Sequence, residues 1–231
     1  MAWRCTGSTN AELIQNMAKA GIITSDRVVE AMTKVNRVHY VPHAYAAYED
    51  SPQPIGHGAT ISAPHMHAYA AQNLLPFLKP GARVLDVGSG SGYLAAVFYH
   101  LLQDSADPKN AEGKVVGIEH IPELVEWSIE NLRKDKLGSA VDEGKIKMIA
   151  GDGRKGSPKD GPFDVIHVGA AAPTLPAALV KQLAHPGRMF IPVGTYMQQI
   201  LQVDKDESGN VTEIPLLDVM YVPLTDRDKQ V

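Results

Sequence analysis

The sequence has few of the features that mark secreted, membrane and nucleic-acid-binding proteins. Its 231 residues include a single cysteine, Cys5, so no internal disulfide can form and we expect a reducing compartment. The net charge is -4 without any basic block, which argues against nucleic acid or an anionic membrane as the main partner. No apolar stretch approaches the roughly 18 residues that a membrane span requires. The N-terminus shows no basic region followed by an apolar run, so we expect no secretory signal and a cytosolic location.

The composition that remains is that of an ordinary globular protein, organised around residues 83–93. In that stretch an apolar run ends at Asp86 and Val87, and three glycines, Gly88, Gly90 and Gly92, follow at alternate positions. A helix-like segment comes next. Strand, glycine turn and helix start together predict a nucleotide-type cofactor site, because glycine lets the backbone approach a ligand closely.

The rest of the chain predicts an α/β fold around this turn. Apolar runs alternate with helical patterns, which favours a parallel sheet covered on both faces; the predicted strands are 83–87, 114–118, 146–150, 163–168 and 189–193. A helix is expected to end near Leu183, and from Gln198 onward a strand, a turn and a strand predict a closing antiparallel hairpin. We predict one domain, residues 1–231, with a doubly wound, mostly parallel Rossmann-like sheet. Residues 1–75 are its N-terminal helical layer and active-site loop, and residues 82–231 its cofactor-binding core.

The glycine turn fits neither common phosphate motif. A P-loop needs Gly-Lys-Ser/Thr, which is absent here. The dinucleotide fingerprint needs a small residue where this chain has Tyr93, and a carboxylate at Asp86 would repel a pyrophosphate. A carboxylate at that position instead suits a cationic ligand, such as one that carries an α-amino group.

Two further carboxylates follow the next two predicted strands. Glu119 is placed to accept hydrogen bonds from a ribose diol, and Asp152 could accept one from an adenine amino group. Each acid, taken singly, could merely cap a helix or close a turn. As a set with Asp86, the three predict a ligand with an ammonium group, ribose and adenine but no phosphate, which is S-adenosylmethionine.

Residues 50–67 form an unusual stretch ahead of the turn. Its prolines and glycines argue against any regular element through the first half. Ser62 resembles a helix N-cap, with the helix running from Ala63 to about Leu75. The pattern alone does not decide whether Ser62 is only a helix cap or has a functional role. His65 and His67 diverge on such a helix, so we predict no metal site.

At this point the chain resembles the protein-L-isoaspartate O-methyltransferases of eukaryotic type over nearly its whole length. The motifs that carry the resemblance are 59–67, 85–92, 151–154, 166–173 and 221–226. The first and the last are specific to that family, whereas the glycine turn is shared with class I S-adenosylmethionine-dependent methyltransferases at large.

The resemblance implies methylation of the abnormal carboxylate of L-isoaspartyl, and of D-aspartyl, residues in damaged proteins and peptides. The methyl ester can collapse to a succinimide and reopen partly to normal aspartate, so the expected role is repair by a cytoplasmic monomer. Ser62 would be the active-site serine, and Ser62 and the Val222 backbone would hold the acceptor peptide as an extended strand. The expected cofactor-binding residues are Ala59, Thr60, Ile61, Ser62, His67, Asp86, Gly88, Gly90, Glu119, His120, Asp152, Gly153, Thr225 and Gln230.

Two alternatives stay open. A methyltransferase for a small-molecule amine or hydroxyl would need His65 or His67 as a base. A chain that binds S-adenosylmethionine without activity could act as an interaction module. The chain departs from the family pattern at His185 to Arg188, at Thr195 to Met197, and by ending at Val231. These departures put the rim of the acceptor groove in question and leave the cofactor motifs intact.

Overall fold

The fold is a seven-stranded sheet with helices on both faces. A computed structural model describes residues 5–103 and 113–229. Its strands, in sheet order, are β5 (Ile146–Ala150), β4 (Lys114–Glu119), β3 (Arg83–Val87), β6 (Phe163–Val168), β7 (Leu183–Gly194), β8 (Gln198–Lys205) and β9 (Val211–Val219). The first five are parallel, and β8 and β9 close the sheet as an antiparallel hairpin. This is the predicted fold class.

Seven α-helices lie in the described part of the chain: α1 (Asn10–Lys19), α2 (Asp26–Lys34), α3 (Pro64–Leu74), α4 (Tyr93–Leu102), α5 (Pro122–Lys134), α6 (Gly138–Asp142) and α7 (Ala177–Gln182). Val84 and Leu85 are successive residues of β3, and their side chains belong to two different buried hydrophobic clusters. Each face of the sheet is therefore apolar, as a doubly wound sheet requires. None of the helices in residues 5–103 and 113–229 has the length and apolar character needed to cross a membrane.

The N-terminal helices share a buried core with the sheet. Leu13 of α1 and Met32 of α2 belong to the same cluster as Val84. Thr9 caps α1, since its hydroxyl accepts a hydrogen bond from the Glu12 N–H at 3.2 Å. The predicted helical layer therefore covers one face of the sheet. The boundary drawn between residues 75 and 82 stays a prediction.

The strand order creates a crevice at one edge of the sheet. From β3 the chain moves outward through β4 and β5, and then returns to place β6 on the other side of β3. In such sheets the ligand crevice opens outside the carboxyl ends of the strands at this reversal. The glycine turn follows β3, and Gly169 follows β6, with its N–H donating to the Val87 carbonyl oxygen at 2.8 Å.

Two local predictions were wrong. The first half of residues 50–67 does contain regular structure, because β1 (Gln53–Gly56) and β2 (Ala59–Ile61) form a hairpin. The turn is possible because residues 56–58, two of them glycines, all take positive φ angles, which glycine adopts without strain. Strand β7 begins at Leu183 and not at residue 189, since Leu183 already pairs with Phe163 before the register shifts.

Candidate active site

Three cavities meet at the carboxyl edge of the sheet. The turn pocket lies against the glycine turn and includes Gly88, Glu119 and Asp152 among its lining. The inner pocket lies behind it, against Asp86 and His67. The third cavity, the groove, opens outward, and its lining is Pro52, Thr60, Ser62, Ala63, His65, Met66, Gly169, Met220, Tyr221 and Val222. The three cavities are contiguous, because all of them share the lining residues Thr60 and Gly169.

The turn pocket is built on glycines that no larger residue could replace without cost. Gly88 and Gly90 have φ angles of +73° and +48°. A Cβ atom on Gly90 would lie 3.1 Å from Ile55, which is tighter than ordinary contact. Glu119, at the end of β4, accepts a hydrogen bond from the Gly90 N–H at 3.1 Å and one from the His120 N–H at 2.7 Å. The carboxylate thus both shapes the turn and lines the pocket.

Asp152 is tied to the C-terminal segment through Arg154. The Arg154 guanidinium donates to both oxygens of Asp152, at 2.9 and 3.0 Å, and to Asp226 at 2.7 Å. These hydrogen bonds lower the pKa of Asp152 and of Asp226. Both carboxylates are therefore charged at neutral pH. The Arg154 bridge holds the segment around Thr225 beside the turn pocket, which Thr225 lines.

The inner pocket contains buried polar atoms without partners. Asp86 is 1% exposed, and its Oδ1 accepts a hydrogen bond from His167 Nδ1 at 2.7 Å. Its other oxygen has no partner in the described chain, nor has the Ser89 hydroxyl of the same pocket. Buried polar atoms are rarely left unsatisfied unless a ligand or an ordered water meets them. A carboxylate oxygen and a hydroxyl in one pocket suit the amino-acid end of the predicted cofactor, and the glycine turn leaves space for its nucleoside end.

Ser62 is not a helix cap, contrary to one of the two interpretations of its pattern. Helix α3 starts at Pro64 with Ala63 as its N-cap, and no side chain of the cap residue bonds to the helix. Asp50 takes part of that role, because its Oδ1 accepts hydrogen bonds from the His65 N–H at 3.0 Å and from His65 Nδ1 at 2.8 Å. Ser62 is half-buried and lines both the inner pocket and the groove.

A buried arginine lies behind Ser62 and His67. Arg37 Nη2 donates to the Ser62 carbonyl oxygen at 2.8 Å, and Nη1 lies 3.4 Å from His67 Nδ1. The guanidinium also lies over the Tyr93 ring, 5.2 Å from its centroid. The Arg37 backbone is held in turn, since its N–H donates to Asn10 Oδ1 at 3.4 Å. Arg37 therefore connects the loop that carries Ser62 to the N-terminal helical layer.

The outer wall of the groove is an extended segment held by one side chain. The Gln198 amide bonds both backbone groups of Tyr221, donating to its carbonyl oxygen at 3.0 Å and accepting from its N–H. Further along, the Val222 carbonyl oxygen accepts from the Ala171 N–H at 2.8 Å. Val222 N–H has no partner among the described residues. An extended backbone with a free N–H at a groove can bind a peptide as an added strand.

Comparison with known proteins agrees with this geometry. The family model for protein-L-isoaspartate(D-aspartate) O-methyltransferase matches residues 8–229. The chain belongs to this family. It is 45% identical to the protein-L-isoaspartate O-methyltransferase of Caenorhabditis elegans, with 100% of this chain and 98% of the other covered. It is also 45% identical to the enzyme of Triticum aestivum, over 96% of this chain and 93% of the other.

A solved structure extends the agreement to the fold. A Plasmodium falciparum chain assigned to protein-L-isoaspartate O-methyltransferase, solved with S-adenosyl-L-homocysteine, superposes with a TM-score of 0.85 at 35% identity. The match covers 95% of this chain and 99% of that one. The predicted resemblance, the methyltransferase class and the Rossmann-like fold are therefore confirmed.

The structure brings the predicted site residues of this family member together. Nine of the predicted cofactor residues line the turn pocket: Ala59, Thr60, Gly88, Gly90, Glu119, His120, Asp152, Gly153 and Thr225. The inner pocket adds Ile61, Ser62, His67 and Asp86. Val222 lines both the turn pocket and the groove. Gln230 lies outside the described residues. Individual contacts of these residues with ligands stay predictions.

The departures from the family pattern lie away from these cavities. His185 to Arg188 belong to β7, and Thr195 to Met197 form the turn between β7 and β8. Tyr196 and Met197 are exposed there. None of these residues lines the turn pocket, the inner pocket or the groove. The hydrogen bonds from Gln198 to the groove wall are present directly beside the altered turn.

Sequence reasoning missed four residues that hold the site: Arg37, Arg154, His167 and Tyr221. Arg154, His167 and Tyr221 lie within motifs that carry the family resemblance, but no role was predicted for them, because most of their contacts join distant parts of the chain. For His167 a signal existed. It is a polar residue in an otherwise apolar run, and its Cα pairs with Asp86 in the β3–β6 register. A buried polar residue implies a partner.

Tyr221 gives a first prediction about the groove. Burial raises the pKa of its phenol to about 12, an effect that the nearby Ser62 side chain opposes, so the phenol stays protonated. Tyr221 lines the groove and neither of the other two cavities. We expect Tyr221→Phe to lower kcat roughly three- to tenfold, the effect of one hydrogen bond, and to leave cofactor affinity unchanged in titration. Tyr196→Phe, at the exposed turn, is the matched control. A loss of cofactor affinity in Tyr221→Phe would contradict this role.

Proposed function

We propose that this enzyme transfers the methyl group of S-adenosylmethionine to the free carboxylate of L-isoaspartyl, and of D-aspartyl, residues in damaged proteins and peptides. Collapse of the resulting ester to a succinimide would start the repair of the residue. The family match supports the acceptor class, and the S-adenosyl-L-homocysteine in the Plasmodium falciparum structure supports the cofactor.

The observation that carries the proposal is the position of Ser62. It belongs to the lining of the inner pocket and to that of the open groove. A ligand with its amino-acid end at Asp86 and its nucleoside end at Glu119 would extend through the contiguous pockets. A peptide bound along residues 220–222 would bring its carboxylate to the same serine from outside. The two reactants would then meet at Ser62.

The proposed reaction requires few catalytic side chains. When bound, S-adenosylmethionine supplies a methyl group on a sulfonium, which is an activated leaving group. The acceptor carboxyl, whose ordinary pKa is about 3.3–3.9, is already ionised at neutral pH, so the reaction needs no general base. The Ser62 hydroxyl can donate a hydrogen bond that orients the carboxylate for in-line attack. Orientation of two reactants can be worth roughly 7–11 kcal/mol of the barrier.

One observation favours a second candidate, a methyltransferase for a small-molecule amine or hydroxyl. His65 lines the groove, and its Nδ1 lies 2.8 Å from Asp50 Oδ1. A histidine held by a carboxylate in this way is the usual arrangement for a general base. The open groove, with an unpaired backbone N–H at Val222 in the described chain, favours an extended peptide over a small molecule.

A matched pair of peptides tests the proposal. The two peptides differ only in whether one residue is L-isoaspartate or L-aspartate, and the methyl group of S-adenosylmethionine is labelled. We expect label in the isoaspartyl peptide alone, as a base-labile ester. Equal labelling of both would indicate a general carboxyl methyltransferase and would contradict the proposed specificity.

Two controls separate the remaining outcomes. The Ser62→Ala enzyme should bind S-adenosyl-L-homocysteine and transfer little label, which excludes an adventitious activity. A wild-type enzyme that binds S-adenosyl-L-homocysteine and labels neither peptide would contradict the proposal and favour the second candidate, for which His65→Gln should abolish methylation of an amine or hydroxyl acceptor.

A further inference from the structure

Arg37 is a buried cation without a hydrogen-bonded carboxylate in the described part of the chain. It is 0% exposed, and its side-chain contacts are the Ser62 carbonyl oxygen, His67 Nδ1 and the face of Tyr93. Burial lowers its pKa to about 10, with Tyr93 and Asp50 opposing that shift, so the guanidinium remains charged at neutral pH. Burying a charge without an ion-pair partner is costly. Such a residue requires an explanation beyond packing.

The chemistry of the guanidinium dictates the state of His67. An arginine side chain carries only donors, so the ring nitrogen that faces it must offer a lone pair. His67 Nδ1 therefore carries no proton, and the proton of the neutral ring is on Nε2. Burial lowers the pKa of His67 well below its usual value, and the Arg37 charge adds to this effect. The ring is neutral and in one tautomer.

The remaining donor belongs to the inner pocket. His67 lines that pocket beside Ser62. Within residues 5–103 and 113–229 the hydrogen bond of the His67 ring is the one at Nδ1, and Nε2 makes none. A neutral N–H donor in a buried pocket is suited to an anionic oxygen. Because Nε2 already carries a proton, His67 cannot also accept one there, which removes it as the base that the rival function would need.

We propose that Arg37 is a positioning residue of the methyl-transfer site, which holds His67 as the Nε2–H tautomer and holds the Ser62 carbonyl, so that the His67 N–H donor faces a carboxylate beside Ser62. That carboxylate belongs either to the amino-acid end of the cofactor or to the acceptor. The proposed tautomer is independent of the proposed function, whereas the choice of carboxylate rests on it.

The tautomer can be measured directly by long-range ¹H–¹⁵N correlation spectra of enzyme with ¹⁵N-labelled histidine. Nine histidines are present, and His67→Gln identifies the resonance of interest. We expect wild-type His67 to be the Nε2–H tautomer and to stay neutral on acidification to about pH 5, below the ordinary histidine pKa of about 6.5. In Arg37→Met we expect both tautomers and protonation nearer to that ordinary value. An Nδ1–H tautomer in the wild type, or an unchanged spectrum in Arg37→Met, would overturn the proposal.

Activity and ligand titrations complete the test. Arg37→Met should lower kcat about tenfold, as expected for one charge-assisted hydrogen bond. Arg37→Lys should have a kcat between those of Arg37→Met and the wild type, and its His67 ring should stay neutral. Arg188→Met is the matched control: Arg188 is paired with Asp204 away from the pockets, so the His67 spectrum should not move. If Arg37→Met fails to fold, the spectra of the wild type and of Arg37→Lys still show which tautomer His67 adopts, and an Nδ1–H tautomer in the wild type would still overturn the proposal.

Spectra recorded with different ligands decide whether the carboxylate belongs to the cofactor or to the acceptor. S-adenosyl-L-homocysteine carries the cofactor's carboxylate, and 5′-methylthioadenosine lacks it. A shift of His67 Nε2–H with the first ligand alone assigns the cofactor's group. A shift only when isoaspartyl peptide is added to the enzyme saturated with S-adenosyl-L-homocysteine assigns the acceptor's group. No shift in either arm would overturn the carboxylate part of the proposal. A normal His67 spectrum in an enzyme that methylates no isoaspartyl peptide would contradict the proposed function alone.

Discussion

Ser62→Ala is expected to lower kcat about a hundredfold, the loss that a reactant misplaced by about 1 Å can cause, with little change in cofactor affinity. The substitution removes the hydroxyl that, in the proposed function, would orient the acceptor carboxylate. The backbone should stay in place, because Arg37 holds the Ser62 carbonyl oxygen and not the side chain. Single-turnover kinetics with isoaspartyl peptide and calorimetric titration with S-adenosyl-L-homocysteine measure the two quantities separately.

Two features make the Ser62 prediction specific. Loss of a helix N-cap costs about 1 kcal/mol of stability, and since Ser62 is not the cap of α3, we expect its alanine variant to unfold at nearly the wild-type temperature. Ser89→Ala is the matched serine control. It removes a buried hydroxyl of the inner pocket that has no partner in the described chain, so it should weaken cofactor binding and spare kcat at saturation. Equal loss of turnover and cofactor affinity in Ser62→Ala would argue against an orienting role.

The sheet and the cofactor crevice were predictable because their signals are local. Each parallel strand is a short apolar run in the sequence, and the residue after it falls at the same edge of the sheet. Asp86, Glu119 and Asp152 could therefore be placed together without knowing any side-chain contact. The closing hairpin was also predictable, since the turn at 207–210 separates two runs of strand character.

The errors fell where distant residues decide the local structure. Leu183 joins β7 because Phe163 of the neighbouring strand pairs with it, although the local pattern there is helical up to Gln182. Ser62 has the sequence context of a cap, but the start of the helix is bonded instead by Asp50, 15 positions before His65. Pairing across the fold outweighed local propensity at both positions.

The site residues that sequence reasoning missed share the same cause. Arg37 reaches Ser62 and His67 from 25 and 30 positions away, and Arg154 reaches Asp226 across 72. Arg37 begins a short 3-10 helix, Arg37–Tyr40, and a buried arginine in that position has no signature of its own in one sequence. These residues touch the predicted site residues and orient them. A pattern that finds the groups at the crevice therefore does not find the groups that hold them.

Asp86→Asn is expected to weaken S-adenosyl-L-homocysteine binding roughly ten- to a hundredfold, which corresponds to the 1.5–3 kcal/mol of a hydrogen bond to a charged group. Asp86 Oδ2 is buried and has no partner in the described chain, so it is the oxygen that we expect to accept from the ammonium group. Asparagine keeps an acceptor for His167 Nδ1, now 2.7 Å from Asp86 Oδ1, so the shape of the buried pair can persist. The lost charge and the new amide donor both disfavour an ammonium ligand.

A ligand without the amino-acid end makes the Asp86 prediction decisive. 5′-Methylthioadenosine keeps adenine and ribose but has no ammonium group, so Asp86→Asn should bind it as well as the wild type does. Glu119→Gln is the matched control, because a carboxylate that accepts from the ribose diol should matter equally for both ligands. Calorimetric titration of the two ligands into the three proteins gives all six affinities. An equal loss of affinity for both ligands in Asp86→Asn, with an unchanged unfolding temperature, would show that the Asp86 carboxylate does not bind the ammonium group.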